Sequence, residues 1–206
     1  MSIVAVATQG TELQHSSLST ARTSETISDA FPGIGDDIKQ AGYAFAPGAR
    51  MADAIRGLGL MAEWERFAAS WDDLGLDRFM ADGGRYRRRR FAAFEMSAVA
   101  VARKPHQPHY QSRDYNPLNG DIERWFEPVL DENADHPFLR TVFDVCRWAF
   151  ASAAPAADAG WPWHAEMHQF RIEAMTEGVG RPTPEGMHRD GVDWVCVMLI
   201  KRENVQ

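Results

Sequence analysis

Residues 192–200, VDWVCVMLI, leave the chain few folds to choose from. The run is dense in β-branched and apolar side chains and shows no helical period, so it reads as a buried strand. It falls well short of the ~20 apolar residues that cross a bilayer. A buried strand obliges the chain to supply a sheet, and two other segments answer that need. RYRRRRFAAFEMSAVAVARK reads as extended, with Arg85, Arg87, Arg89 and Phe91 on one face and Tyr86, Arg88 and Arg90 on the other. WPWHAEMHQFRIEAM reads as a strand entering from a turn, with His168, Phe170 and Ile172 on one face and Gln169, Arg171 and Glu173 on the other.

Helical spacing dominates elsewhere. LMAEWERFAASWDDLGL places Leu60, Trp64, Phe67, Ala68 and Trp71 on one stripe. HPFLRTVFDVCRWAFASAA does the same with Phe138, Val142, Val145, Cys146 and Ala149. DDIKQAGYAFAPG reads as a short helix stopped at Gly42, followed by a strand through Tyr43 and Phe45. Helices early and in the middle, with strands increasing toward the end, make the class α+β. Residues 1–28 are rich in Ser, Thr and Ala and read as a mobile N-terminal arm, leaving 29–206 as one domain.

The 206 residues, 45% hydrophobic, suffice for one domain with a real core. A net charge of -7 argues against wholesale nucleic-acid binding. RYRRRR alone reads equally as a nucleic-acid patch or as a solvated edge strand. Two cysteines, Cys146 and Cys196, build neither a disulfide framework nor a thiolate zinc site, which points to a reducing cytoplasm. No membrane partner is expected, and the oligomeric state is left open.

His188, Arg189 and Asp190 form an H-x-D triplet just before the apolar run. On an extended chain residues i and i+2 share a face, so one imidazole and one carboxylate converge. A second His would complete the facial triad of non-haem Fe(II) oxygenases. Composition alone yields roughly 0.5 such triplets, so the triplet by itself decides little. PHQPHYQSRDYNPLNGDIERWFEP is loop chemistry, and long ordered loops are often functional. Within it Tyr110, Gln111 and Asn116 suit an α-amino or α-carboxylate group, or equally loop packing and turns.

HQFRIEAMTEGVGRPTPEGMHRDGVDWVCVMLIKREN resembles the bacterial 2-oxoglutarate/Fe(II)-dependent dioxygenases that hydroxylate free L-amino acids, a family that includes L-isoleucine 4-hydroxylase and a biofilm-associated protein. DGGRYRRRRF and HYQSRDYNPLNGDIERWFEP look like two further blocks of that family, and the resemblance runs from about residue 30 to 206. It implies a distorted double-stranded β-helix, a cupin-like jelly-roll with helices packed on one side. It implies Fe(II) and 2-oxoglutarate, with ascorbate as reductant, and hydroxylation or sulfoxidation of a free L-amino acid with release of succinate and CO2. His188 and Asp190 would be metal ligands. Arg87 or Arg89 would pair with a carboxylate, and His168 and Arg171, from the H-Q-x-R block, would be pocket residues.

The family's second iron His and its 2-oxoglutarate Arg lie downstream of the H-x-D, and this sequence holds neither after Asp190. The jelly-roll is therefore expected to be incomplete at the C-terminus, with VDWVCVMLI as an exposed, adhesive edge. Enzyme activity is left open on these residues. The alternative is an inactive small-molecule-binding or biofilm/stress-response protein with an incomplete iron site.

Overall fold

The computed structural model describes residues 2–9, 24–80, 82–116, 120–154, 160–174, 180 and 190–204. Four helices come early: α1 Ser24–Ala30, α2 Ile34–Ala41, α3 Gly48–Gly57 and α4 Met61–Ala69. Two more, α5 Asp131–Ala134 and α6 Pro137–Ala153, lie in the middle. The strands are β1 Ser2–Gln9, β2 Arg87–Met96, β3 Val101–Arg103, β4 Trp163–Ile172 and β5 Trp194–Leu199. They form one sheet in the order β3-β2-β4-β1-β5, and every pairing is antiparallel. The mixed helix and antiparallel sheet is the expected α+β class.

The sheet's two faces do different work because side chains alternate across a strand. Phe94 of β2 is opposite Ala165 of β4, Ala92 opposite Met167 and Met96 opposite Trp163. These six are buried with Phe67, Trp71, Phe138, Leu139, Phe143 and Phe150 in the main core beneath the helices. Gly42, at φ 77, caps α2 in the left-handed region, where a residue without Cβ carries no strain. Pro137 opens α6 beside the N-cap His136, whose ring accepts from the Phe138 N–H at 3.2 Å.

The opposite face carries Phe91 against His168, Ala93 against Glu166 and Arg89 against Phe170. Phe91, Ala93 and Phe126 form a small second cluster there.

Three expectations need correction. Residues 43–47 form no strand, and Tyr43 and Phe45 stand exposed. RYRRRR is neither a surface patch nor a solvated edge, because β2 lies between β3 and β4 and Arg87, Arg89 and Arg90 are buried. VDWVCVMLI is an edge strand, with Val195, Val197 and Leu199 exposed and the alternate side chains packed on the core. Its outward side chains are apolar. Ser2–Gln9, within the stretch read as an arm, pairs with both β4 and β5, while residues 10–23 lie outside the described residues. No described helix is long and apolar enough to cross a membrane.

Candidate functional site

The second face of the sheet buries ionised groups, which requires partners for each. Asp77 sits on the segment before β2 with its side chain fully enclosed. Its Oδ2 accepts from Arg87 Nε at 2.7 Å and its Oδ1 from the Phe79 N–H at 2.9 Å, while Arg89 Nη1 lies 3.7 Å away. One carboxylate thus serves two guanidiniums. Arg89 lies 3.7 Å over the Phe126 ring and 4.5 Å from the Phe170 ring centre, so aromatic faces supply the remaining favourable field. Burial draws the Arg89 guanidinium down and Asp77 opposes this, but its intrinsic basicity keeps it charged.

Arg89 Nη2 reaches His168 Nδ1 at 2.5 Å. A guanidinium only donates, so Nδ1 accepts and the proton of the neutral ring sits on Nε2. That Nε2 faces Glu166 Oε2 at 3.3 Å. His164 repeats the arrangement, with Lys104 Nζ 3.0 Å from its Nδ1 and its Nε2 3.3 Å from Glu166 Oε1. His109 Nδ1 donates to Glu166 Oε2 at 3.0 Å. Three imidazole N–H groups therefore converge on one carboxylate.

Burial by itself would raise Glu166, but the three donors outweigh it and hold the carboxyl well below its usual range. Burial, reinforced by the Arg89 charge and only partly opposed by Glu166, pushes His168 down to about 3. Burial likewise lowers His109, against the pull of Glu166.

His109, Glu166 and His168 present ligand atoms within 4.8 Å of one another, the one such trio among the described residues. Two imidazoles and a carboxylate are an Fe(II) donor set by type. They do not fit a metal here. Ligation through His168 Nε2 would move the ring proton to Nδ1 and turn it against a donor, Arg89. Arg89 is buried between two aromatic rings and has little room to retreat. The trio holds protons, not a cation.

His188 and Arg189 lie outside the described residues, whereas Asp190 is described and exposed at the corner before β5. A carboxylate is the oxygen donor of the two-His, one-carboxylate set that binds Fe(II), and Asp190 fits that part by type. Gln111 Nε2 donates to the Asp190 carbonyl at 3.1 Å and approaches its Oδ1 at 3.4 Å. Gln111 Oε1 accepts from Asn116 Nδ2 at 2.9 Å and from Arg124 Nη2 at 3.4 Å. Arg124 is joined to His109 by reciprocal backbone hydrogen bonds of 3.0 Å, which tie the Asp190 corner to the buried network.

The residues expected at the site thus divide. Arg87, Arg89 and His168 share the buried face, and Gln111 reaches Asp190 while Asn116 donates to Gln111 from behind. Tyr110 is exposed and its hydroxyl donates to Asp121 at 3.3 Å. Arg171 lies on the helical face, where its Nη1 donates to the carbonyls of Trp71 and Asp72, each at 2.8 Å. It is separated from His168 by the thickness of the sheet, because adjacent odd and even positions point oppositely. Glu166, His164, His109, Lys104 and Asp77 were not expected. The alternation His164, Glu166, His168 was a usable signal, since three polar groups at period two share one face.

A profile of the 2OG-Fe dioxygenase family matches residues 68–206, two thirds of the chain and all of the segment carrying Asp77, the buried network and Asp190. No curated protein matches. Among solved structures, a bsmA homologue from Methylobium petroleophilum PM1 is similar at 38% identity and a TM-score of 0.57, over 65% of this chain and 52% of that one. The chain therefore spans about half the length of that relative. The matched segment includes four of the sheet's five strands and the loop that grips Asp190, and on that extent the chain belongs to the 2OG-Fe dioxygenase family.

Proposed function

We propose that this protein is a 2-oxoglutarate- and Fe(II)-dependent dioxygenase that hydroxylates or sulfoxidises a free L-amino acid, releasing succinate and CO2. The observation that carries the reading is Asp190, an exposed carboxylate inside the family match, held at a corner that hydrogen bonds tie to a buried basic face. Asp190 and His188 would hold the metal. Fe(II), when bound with 2-oxoglutarate, would supply the oxidising chemistry, with O2 as the oxidant: one oxygen atom would enter succinate and the other the amino acid.

The chain's own residues position and shield. Arg87 and Arg89 share Asp77, so one guanidinium charge of the buried face is not matched by that carboxylate. That charge favours the carboxylates of the co-substrate and of an amino acid, and a guanidinium suits them geometrically. Glu166, fixed by three imidazoles, stays negative and complements an α-ammonium. Phe91, Ala93 and Phe126 form an apolar wall that excludes water. In this reading the five-stranded sheet is one layer of a distorted double-stranded β-helix. Ascorbate as reductant and a cytoplasmic location belong to the same reading, the latter supported by two free thiols.

The test is succinate release with Fe(II), 2-oxoglutarate and each free L-amino acid in turn, for the natural chain and for Asp190→Ala. Amino-acid-dependent succinate is expected from the first. The variant should fall to background and lose its iron. Stoichiometric iron retained by Asp190→Ala would sink the ligand assignment. Iron bound without succinate for any amino acid would leave the inactive binding protein in its place.

A further inference from the structure

We propose that Gln111 is a positioning residue for Asp190, and that the loop from His109 to Arg124 sets the angle at which this carboxylate meets a metal ion. The inference rests on the assignment of Asp190 as a ligand, and it adds a residue that would otherwise be read as touching substrate.

The orientation of the Gln111 amide follows from its neighbours. Asn116 Nδ2 and Arg124 Nη2 can only donate, so the group facing them is the oxygen, Oε1. The NH2 end is then compelled to face Asp190, where it meets both the carbonyl and Oδ1. Asn116 and Arg124 are themselves buried, each 2% exposed, so the anchor behind the amide is fixed. The loop backbone is fixed as well. The Asp121 N–H donates to the Gln111 carbonyl at 2.8 Å and the Gly120 N–H to the Asn116 carbonyl at 2.8 Å. A Cβ at Gly120 would meet the Arg113 backbone nitrogen at 2.6 Å, so the loop is folded tightly on itself.

A second contact, independent of the amide, grips the same corner. Gly191 lies at φ 72, and a Cβ there would strike the Tyr115 ring at 2.5–2.8 Å. The ring therefore packs directly on the backbone next to Asp190. Gln111 and Tyr115 belong to one loop and bear on two successive residues. An unsupported carboxylate at an exposed corner would sample many rotamers, and ordering it would subtract from metal affinity. Amide donation to the Asp190 carbonyl, with Oδ1 close by, restricts that freedom. Partners of this kind typically contribute 10–100-fold to metal affinity.

The experiment measures Mn(II) affinity by electron paramagnetic resonance in the full chain, for the natural protein, Asp190→Ala, Gln111→Leu and Gln111→Glu. Melting temperature and far-UV circular dichroism are recorded for each. Gln111→Leu removes the donor, and Gln111→Glu keeps the size while replacing the donor by an acceptor. Either one is sufficient should the other fail to fold. The expected result is a loss of about 10–100-fold in Mn(II) affinity in both variants, with the melting temperature held in Gln111→Glu, whose carboxylate still accepts from Asn116 and Arg124, and lowered in Gln111→Leu, which strands those buried donors. Natural affinity in a folded Gln111 variant would overturn the inference while leaving Asp190 as a ligand. Absence of Mn(II) binding in the natural chain, or equal binding by Asp190→Ala, would overturn the metal reading itself and this inference with it.

Discussion

Asp77→Ala is expected to lower stability by about 3–5 kcal/mol, the cost of leaving buried charge uncompensated. The residue is 2% exposed, and Arg87 and Arg89 beside it are 5% and 4% exposed. Without the carboxylate two guanidiniums would face each other in a region closed to water. The Phe79 N–H would also lose its acceptor. For a chain of this length such a loss corresponds to a fall of roughly 6–20 °C in melting temperature. The effect should reach past stability, because Arg89 is what fixes the His168 tautomer. Thermal unfolding followed by circular dichroism checks it, and a fall below ~2 °C would mean that the two arginines find other partners. Asp77→Asn should be milder, since it keeps one oxygen for Arg87.

Acidification is the second large effect. His168 has a folded pKa of about 3 against an ordinary value of 6.5. The unfolded chain therefore takes up a proton as pH falls through 6.5, while the folded protein refuses it until near 3. Stability accordingly decreases with falling pH across that window, by about 1.4 kcal/mol per pH unit for each such group. His109 and His136 are lowered in the same direction by burial. Glu166 adds to the trend lower down, because its depressed carboxyl contributes stability above 4.5 that is lost as pH drops below that value. Arg89, His109 and Glu166 all face His168, and the first two oppose its protonation. Melting temperature should thus fall steadily from pH 7 to pH 5, before ordinary carboxylates titrate. His168→Gln should flatten the dependence in that range. A melting temperature constant between pH 7 and pH 5 would show that the imidazoles are protonated in the folded state.

Part of the architecture could be read from local pattern. The stripe through Leu60, Trp64 and Phe67 became α4, and Pro137 with Gly42 marked a helix start and a helix stop that hold. Period two placed Arg87, Arg89 and Phe91 on one face of β2 and His168 on the matching face of β4. Tyr43 and Phe45 misled because alternating aromatics describe a strand only where another strand pairs with them, and no described strand does. RYRRRR misled because charge suggests solvent, whereas here Asp77, Glu173, and the Asp73 and Pro128 carbonyls supply partners from elements far away in sequence.

The candidate site divides along the same line. Asp190 and Gln111 were legible as residue types suited to their surroundings, and the family resemblance gathered them into one set. That Gln111 serves Asp190 required a contact spanning 79 residues. Glu166 needed His109, which comes from a loop 57 residues away, to become a triply donated carboxylate. Arg171 lies on the face opposite His168, as period two implied, and only the tertiary structure showed that its face is the one beneath the helices. By itself the sequence determined the element types, the caps and which residues share a face, since these depend on neighbours within a few positions. Only the tertiary structure decided which face is dry, which tautomer each imidazole holds and which carboxylate is buried or exposed. Those properties come from burial and from hydrogen-bond partners, and the chain supplies both from distant positions.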